Sequence, residues 1–473
     1  MSGVMSMRLH SLDETSYYIL LEDDFTASSY MTFDLLQFHR LILYDRLIKA
    51  HPYKRAHIWR EARVDIPPLV RAEVWAALLE VEGDVHGRYN AVDKDTPTPT
   101  DRQWVTLKLK RLLKAWVTAH PEYVYWQGLD SLCAPFLYLH FNDEAVAFAC
   151  LMAFIPKYLH KFFLKDNSAV IQEYLSVFSH LIAFHDPELS VHMNEIGFIP
   201  DLYAIPWFLT MYAHVFPLHK IFHLWDTLLL GGSSFPLCIG VAILQQLRDQ
   251  LLSYGFNECI LLFSDMPEIA IDRCVSDSVR IFCGTPKSTT YRQHAKPTTR
   301  KVTSENHING ELFPQEADVF NEVKLSMDAV PLDVLKREIC PRISAEDLLQ
   351  LSGLLGATNG QNTIKRNHTT KPRILIVDVR SHDDFMRGTV PDSVNIPFEG
   401  AFSAEGQLLP SPSVHVLNTH RLQVKAIVGS REECSVEFAR ALVKLGYQKV
   451  CVLHKGIDAV RPTGILTVPP ANL

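Results

Sequence analysis

The sequence predicts a multidomain chain, in which an all-α domain is followed by an α/β domain with a parallel sheet. In the first part of the 473 residues, for example in 144–159, apolar side chains recur at intervals of three and four, which is typical of packed amphipathic helices. Near the carboxyl end, short apolar runs such as 374–378 alternate with helical patterns, which is typical of buried parallel strands. One such pattern predicts a helix that opens at Ile343, with Ser344 as its cap and Asp347 as the acidic residue of an approximate capping box. The predicted units are an unassigned segment 1–37, a helical domain 38–283, a polar linker 284–330 rich in Thr, Pro and Lys, and an α/β domain 331–473.

The composition excludes several classes of protein. With 46 basic and 53 acidic side chains the net charge is −7, so no basic excess points to direct nucleic-acid binding. Nine widely spaced cysteines form no Cys-x-x-Cys pair, which favours reduced thiols in a cytoplasmic protein over a disulfide framework or a zinc site. Residues 1–24 lack the apolar stretch of a signal peptide.

Two tempting features have ordinary interpretations. The uncharged run between Asp226 and Arg248 is interrupted by Gly231, Gly232 and Pro236, so it predicts two buried helices and not a membrane span. The histidines His214, His219 and His223 lie among core aromatic residues without a carboxylate set at ligand spacing, so no metal site is expected.

The helical domain contains one short loop of special interest. The amphipathic pattern of 107–118 predicts a helix that Pro121 stops, and Gly128 permits a sharp reversal before a second helix near Asp130. Gln127 therefore lies on a loop between helices. Upstream, Pro67 and Pro68 begin a helix on which Arg71 and Trp75 share a face, and we expect these two residues to hold the fold.

Residues around this loop resemble a known family. The stretch Tyr125-Trp126-Gln127-Gly128 resembles the glutamine-finger motif of TBC domains, which activate the GTPase reaction of Rab proteins, and 71–75 resembles the Arg-x-x-x-Trp motif of that family. The runs 66–68, 93–97 and 194–201 resemble one TBC subfamily closely. The resemblance implies that Gln127 orients the attacking water, that Tyr125, Trp126, Gly128, Arg71 and Trp75 support the loop or contact the GTPase, and that GTP and Mg²⁺ arrive with the GTPase, so that no cofactor belongs to this chain.

One part of the family pattern is missing. TBC domains carry an arginine finger in an Ile-x-x-Asp-x-x-Arg motif before the glutamine loop, and no such motif is found here. After Gln103 the chain continues directly to Trp104 and the predicted helix, as if a segment were deleted. Arg102 is the nearest basic residue but lacks the motif around it. Since an arginine finger is worth roughly 10³ to 10⁵ in rate, we expect a weak activator at best.

The kinase-like region that precedes the TBC domain in longer members of the subfamily is not expected here. Residues 1–37 leave no room for it, and no Gly-rich phosphate loop, His-Arg-Asp loop or Asp-Phe-Gly triplet is found, so kinase activity is not predicted.

The α/β domain resembles a second family. The runs 378–381, 384–385 and 395–398 resemble a rhodanese domain, whose enzymes place a nucleophilic cysteine directly after the central strand. Here Gly429 takes that place, and the loop continues with the residues Ser430, Arg431, Glu432, Glu433 and Cys434. Cys434 falls where the family usually has arginine, and the two glutamates beside it disfavour a thiolate. We therefore expect an inactive rhodanese-like domain that binds other protein subunits, without sulfurtransferase activity.

Three hypotheses remain open. The preferred one is a GTPase-activating regulator of a Rab-family GTPase. The alternative is a catalytically inactive scaffold or adaptor that binds GTPases or other proteins, which the missing arginine and Gly429 favour. The third, a sulfurtransferase or phosphatase-like enzyme, requires a reactive thiol at Cys434. By resemblance the subfamily acts in endosomal traffic and growth signalling, which implies a cytoplasmic protein that associates peripherally with endosomal membranes.

Overall fold

A computed structural model of the protein describes residues 27–92, 107–296, 327–354, 374–430 and 432–469. Arg102, the segment around Gln103 and Arg431 lie outside these ranges, as do residues 1–26.

The first part of the chain is built from helices, as the apolar periodicity predicted. In chain order they are α1 (Ala27–Lys49), α2 (Arg55–Ala62), α3 (Arg71–Leu78), α4 (Val85–Asn90), α5 (Leu107–Ala119), α6 (Leu129–Leu139), α7 (Glu144–Tyr158), α8 (Ser168–His185), α9 (Pro187–Glu195), α10 (Ala204–Leu209), α11 (Leu218–Leu228), α12 (Phe235–Gln246), α13 (Arg248–Ser253), α14 (Phe256–Ser264) and α15 (Ile271–Cys283). The first helix begins at Ala27, before the predicted start at Phe38.

The centre of the helical domain is aromatic. Trp75 of α3, Phe136 of α6, Phe154 of α7 and Trp225 of α11 are fully buried and contact one another, and the rings of Phe154 and Trp225 stack with their centroids 4.7 Å apart. Aromatic pairs at such distances contribute about 0.5–1.5 kcal/mol beyond their burial. Four helices that are distant in sequence are thereby fixed around one cluster.

The uncharged run after Asp226 forms two buried helices, as predicted. Helix α11 ends at Leu228, a loop follows, and α12 begins at Phe235 with Pro236 in its first turn. Ten consecutive residues of α12 are buried, because helices pack on it from several sides. Within the described ranges, no helix is both long enough and apolar enough to cross a membrane.

The second domain contains a five-stranded parallel sheet, which confirms the predicted α/β class. Its strands are β1 (Arg342–Ile343), β2 (Ile374–Asp378), β3 (Val394–Asn395), β4 (Val424–Val428) and β5 (Val450–Leu453), in the order β1-β5-β4-β2-β3. Its helices are α16 (Leu332–Arg337), α17 (Ala345–Ser352), α18 (His382–Arg387), α19 (Pro412–Thr419) and α20 (Glu432–Lys444). Every residue of β2, β4 and β5 is buried, which explains their continuous apolar runs.

The start of this domain differs from the prediction. The sequence pattern placed Ile343 at the opening of a helix, but Ile343 belongs to the edge strand β1, and α17 begins at Ala345. Ser344 caps α17 as expected, since its hydroxyl accepts a hydrogen bond from the Asp347 amide at 3.1 Å. The Asp347 carboxylate does not complete a capping box. It accepts bonds from the amide and the hydroxyl of Ser288, at 2.6 and 2.7 Å.

Residues 284–296 were assigned to a polar linker by their composition, yet they are packed. Ser288, Thr289 and Thr290 are buried in a 3₁₀ turn (Lys287–Thr290). The turn is held in place because the Ser288 hydroxyl donates a hydrogen bond to the Asp347 carboxylate. The Ser344 amide in turn donates to the Ser288 hydroxyl at 2.9 Å. A short polar segment can thus be buried when its hydroxyls and amides are all used.

Helix α8 joins the two domains. Its last turns place Ala183 and Phe184 in the apolar clusters of the second domain. The Lys449 amide donates to the Phe184 carbonyl at 2.6 Å, and the His180 ring nitrogen Nε2 lies 3.0 Å from the carbonyls of both Leu335 and Glu338. Burial lowers the pKa of His180, which favours a neutral ring that donates to these carbonyls.

Candidate functional site: the Gln127 loop

The loop before α6 exposes Gln127 to solvent while the residues on both sides of it are held. Gly128 and Leu129 are buried directly after it, and Trp126 before it is 36% exposed. The Trp126 indole nitrogen donates to the Leu164 carbonyl at 3.1 Å, and the Val124 amide donates to the Phe163 carbonyl at 2.9 Å. The loop therefore runs along the segment that connects α7 to α8, which restrains its backbone.

Asp130 holds the other end of the loop. Its carboxylate accepts a hydrogen bond from the Gly128 amide at 3.2 Å and a longer one from the Tyr125 hydroxyl at 3.4 Å. A carboxylate in the first turn of α6 also interacts favourably with the amino end of that helix. Partial burial and the nearby Asp130 charge raise the pKa of Tyr125 to about 12, so this phenol stays protonated and donates.

A cluster of aromatic rings packs next to the loop. The buried Trp116 indole of α5 stacks on the Tyr123 ring with centroids 5.5 Å apart, and it meets the Phe163 ring edge-on. Residues 116, 123 and 163 come from three separate segments. Tyr125 and Trp126 thus have supporting contacts, and Gln127 beside them is exposed.

Arg71 and Trp75 lie deeper and share one partner. The Arg71 guanidinium donates to both carboxylate oxygens of Asp226 at 3.1 Å, and the Trp75 indole nitrogen donates to Asp226 at 2.7 Å. The guanidinium also lies over the Phe222 ring, 5.6 Å from its centroid. The pair that the sequence assigned to fold support ties α3 to α11 through a partly buried carboxylate.

Burial raises the pKa of Asp226, although the bonds from Arg71 and Trp75 oppose this shift. The three side chains therefore act as one unit, since the carboxylate is ionised in the core only with its donors in place.

Gly128 is required by its backbone conformation and by close packing. Its φ is +104°, and a Cβ atom there would lie 2.8 Å from the Thr210 Cγ2 atom of the turn after α10. Replacing Gly128 with alanine is expected to destabilise the protein by about 1–3 kcal/mol through strain and collision. Thermal unfolding of the purified chain measures this effect.

Gly197→Ala is the matched control, because Gly197 also has a positive φ of +75° but open space around its Cβ position. It should lower the melting temperature less than Gly128→Ala does. Adding Thr210→Ser, which keeps the hydroxyl bond to Pro206 and removes the colliding methyl group, should recover part of the loss. Equal losses for the two glycine variants, without recovery, would contradict this packing argument.

The loop after β4 in the second domain lacks a nucleophile at its first position. Gly429 is buried, and its carbonyl accepts a bond from the Ile457 amide at 3.0 Å. Gly456 approaches this carbonyl so closely that a Cβ atom at 456 would lie 2.2 Å from the oxygen. Ser430 and Glu433 are exposed, and Cys434 is half-buried on α20.

Glu432 of the same loop is engaged by basic and polar groups around it. Its carboxylate accepts bonds from the Arg342 guanidinium at 3.0 Å and from the Lys455 amide at 2.9 Å. The Glu432 carboxylate thus occupies hydrogen-bond donors of Arg342 and Lys455 beside the loop. This arrangement disfavours binding of an external anion there.

The residues that resemble the rhodanese pattern have structural contacts. Arg380 donates to the buried Asp378 carboxylate and to the Gly388 carbonyl, and Asn395 donates to the carbonyls of Asp378 and Arg380. This network links β2 to β3 and to the end of α18. The residues of the rhodanese-like pattern therefore hold elements of this domain together.

No described group of three or more His, Cys, Asp or Glu residues could hold a metal ion. Of the three histidines considered in the sequence, His223 lies 3.0 Å from Asp272. All nine cysteines are free thiols, and seven of them are buried.

Sequence reasoning missed the supports of the Gln127 loop. Asp130 carried a local signal, since an acidic residue in a first helical turn often binds the amides before it. Leu164, Phe163 and Thr210 carried none, because their proximity to the loop depends on long-range packing.

Comparison with known proteins agrees with this architecture. Residues 70–252 match the Rab-GTPase-TBC domain, and residues 362–462 match the rhodanese-like domain. The chain is 55% identical to the TBC domain-containing protein kinase-like protein of Mus musculus over 98% of its own length and 56% of the relative. It is 30% identical to the GTPase-activating protein GYP5 of Eremothecium gossypii over 35% of this chain and 20% of that protein.

Among solved structures, the Ypt/Rab-GAP domain of Gyp1p is similar with a TM-score of 0.45 and 18% identity, covering 51% of this chain and 97% of that domain. The chain spans about half the length of the mouse protein it matches. The resemblances drawn from the sequence are confirmed, because the chain matches both the Rab-GTPase-TBC and the rhodanese-like domain families and is similar along almost its whole length to TBC domain-containing protein kinase-like proteins.

Proposed function

We propose that this chain accelerates GTP hydrolysis on a Rab-family GTPase, with Gln127 as the group that orients the attacking water. The observation that carries the proposal is the exposure of the Gln127 amide on a loop whose two ends are restrained. A primary amide offers both donors and an acceptor, so it can hold a water molecule and a backbone group together. Restraint of the loop lowers the cost of placing that amide correctly.

The chemistry needs only positioning from this chain. The nucleotide and the Mg²⁺ ion come with the GTPase, and hydrolysis is slow without groups that orient water and neutralise charge. We place Arg71 outside the catalytic set, since its guanidinium is committed to Asp226. The described residues include no motif that would present an arginine beside Gln127. We therefore propose a weak activator.

Hydrolysis on a panel of purified Rab proteins tests this proposal. Single-turnover rates should rise in the presence of the full chain for at least one Rab. The increase should be smaller than that of an activator with both catalytic groups, because an arginine is worth roughly 10³–10⁵ in rate. Unchanged rates across the panel would reject the proposal.

A scaffold role is the second candidate. The replacement of the rhodanese nucleophile by Gly429 and the engagement of Glu432 by Arg342 favour a second domain that binds protein subunits without catalysis. A Rab that binds this chain with unchanged hydrolysis would favour the scaffold over the activator.

A further inference from the structure

A basic cleft lies in the helical domain, outside the groups proposed for catalysis. It forms where the end of α7, the start of α8 and the segment 291–296 meet, and it is open to solvent on one side. Arg292 lines it with only 6% of its surface exposed. A guanidinium this deeply buried normally has a carboxylate or phosphate partner.

The hydrogen bonding of Arg292 is incomplete. Its Nη2 donates to the Ser233 hydroxyl at 3.0 Å, and its Cζ lies 4.6 Å from the centroid of the Tyr174 ring. Its Nη1 is buried without a hydrogen-bond acceptor. Among the residues with described positions, no carboxylate forms an ion pair with this guanidinium. The Arg292 charge is therefore buried beside the cleft without a carboxylate from the described residues.

The one carboxylate among the described lining residues is already used. Glu173 is buried, and its oxygens accept bonds from the Gln293 amide at 2.8 Å, the His294 amide at 3.1 Å and the His294 ring at 2.7 Å. These bonds hold the segment 291–296 on α8. Glu173 thus builds the wall and leaves the Arg292 charge without a partner.

Further cations surround the opening. Lys157 and the exposed Lys296 line the cleft together with the half-buried His160. Burial lowers the pKa of His160, and the positive charges of Lys161, Lys296 and His294 lower it further. Arg292, Lys157 and Lys296 therefore place three permanent cations around a space with a single carboxylate, and the Lys157 ammonium group also donates to the Leu229 carbonyl at 3.0 Å.

We propose that this cleft binds a phosphate group. Its donors approach from a buried guanidinium and from lysine and histidine side chains on separate segments, and a tetrahedral anion with several acceptor oxygens satisfies such donors better than a planar carboxylate. The phosphate would contact the open side of the cleft, so the remainder of a phosphomonoester would lie at the exposed rim beside Lys296. A soluble phosphorylated compound and a phosphorylated lipid headgroup share this chemistry.

Calorimetric titration of the full chain with inorganic phosphate tests the proposal. Saturable binding is expected, weakened about tenfold or more by Lys296→Glu, which reverses one charge at the rim. Arg292→Gln should abolish it. If Arg292→Gln fails to fold, Lys296→Glu still decides, because Lys296 is exposed.

Lys336→Glu is the matched control, since Lys336 is an exposed lysine outside the cleft. The Lys336→Glu variant should bind phosphate with the same affinity as the unmodified chain. The absence of saturable binding, or equal weakening by Lys296→Glu and Lys336→Glu, would overturn the proposal.

Vesicles distinguish the two sources of phosphate. Phosphatidylcholine vesicles are compared with and without phosphatidylinositol phosphate. Binding to the second kind alone, reduced by Lys296→Glu and displaced by inorganic phosphate, would identify a lipid headgroup. Phosphate binding by a chain that ignores both vesicles would identify a soluble ligand, and both results support the cleft.

Discussion

Replacing Gln127 with alanine is expected to lower the stimulated rate of Rab GTP hydrolysis by about 10²-fold or more. A single positioned group of this kind contributes that much, because its dipole is held where the transition state needs it. Gln127 is exposed and its neighbours supply the loop contacts, so the substitution should leave the melting temperature unchanged. Single-turnover hydrolysis with the most responsive Rab measures the effect.

Two further variants make the result specific. Gln127→Asn keeps the amide but shortens the side chain by one methylene group, and it should also lose most of the stimulation because the amide no longer reaches the water. Gln250→Ala removes an exposed glutamine of α13, far from the loop in sequence, and should leave the rate unchanged. Full stimulation by Gln127→Ala would remove this residue from the mechanism.

Asp226→Ala should be the most destabilising single substitution considered for the helical domain, at about 3–5 kcal/mol. It leaves the partly buried Arg71 guanidinium without its carboxylate and the buried Trp75 indole nitrogen without its acceptor. Chemical denaturation followed by tryptophan fluorescence is a suitable measurement, since Trp75 and Trp225 lie in the affected core. The exposed Glu195 provides the control, and Glu195→Ala should change the stability by less than about 0.5 kcal/mol.

The double variant Arg71→Met with Asp226→Leu separates charge from packing. Removing both charged groups takes away the unpaired charge, so the double variant should be more stable than Asp226→Ala. If it were as unstable as Asp226→Ala, the loss would come from packing alone. Asp226 would then stabilise the core by its shape and not by its bonds to Arg71 and Trp75.

Most helices could be predicted because their apolar positions repeat locally. The predicted helices 107–118 and 144–159 correspond closely to α5 and α7, and the strand 374–378 coincides with β2. The prediction was less accurate for β1, a strand of only two residues. Ile343 appeared to open a helix, and only its pairing with Leu453 places it in β1.

The polar segment after Gly284 shows a different limit. Its composition is that of an exposed linker, and local propensity contains nothing that contradicts this. Ser288 is buried because Asp347, 59 residues away, accepts both of its hydrogen bonds, and Arg292 is buried on the Tyr174 ring. Such partners follow from the tertiary fold.

The sequence by itself determined the resemblance to two families, the helix–loop–helix position of Gln127, and the presence of glycine at position 429 directly after β4. These features are carried by residues close together along the chain, where spacing and residue type are sufficient. The tertiary structure alone decided that Gln127 is exposed, that Asp226 joins Arg71 to Trp75, and that the buried Arg292 has no described carboxylate partner in a basic cleft. Burial and charge pairing depend on segments brought together from distant positions, and local sequence patterns do not record them.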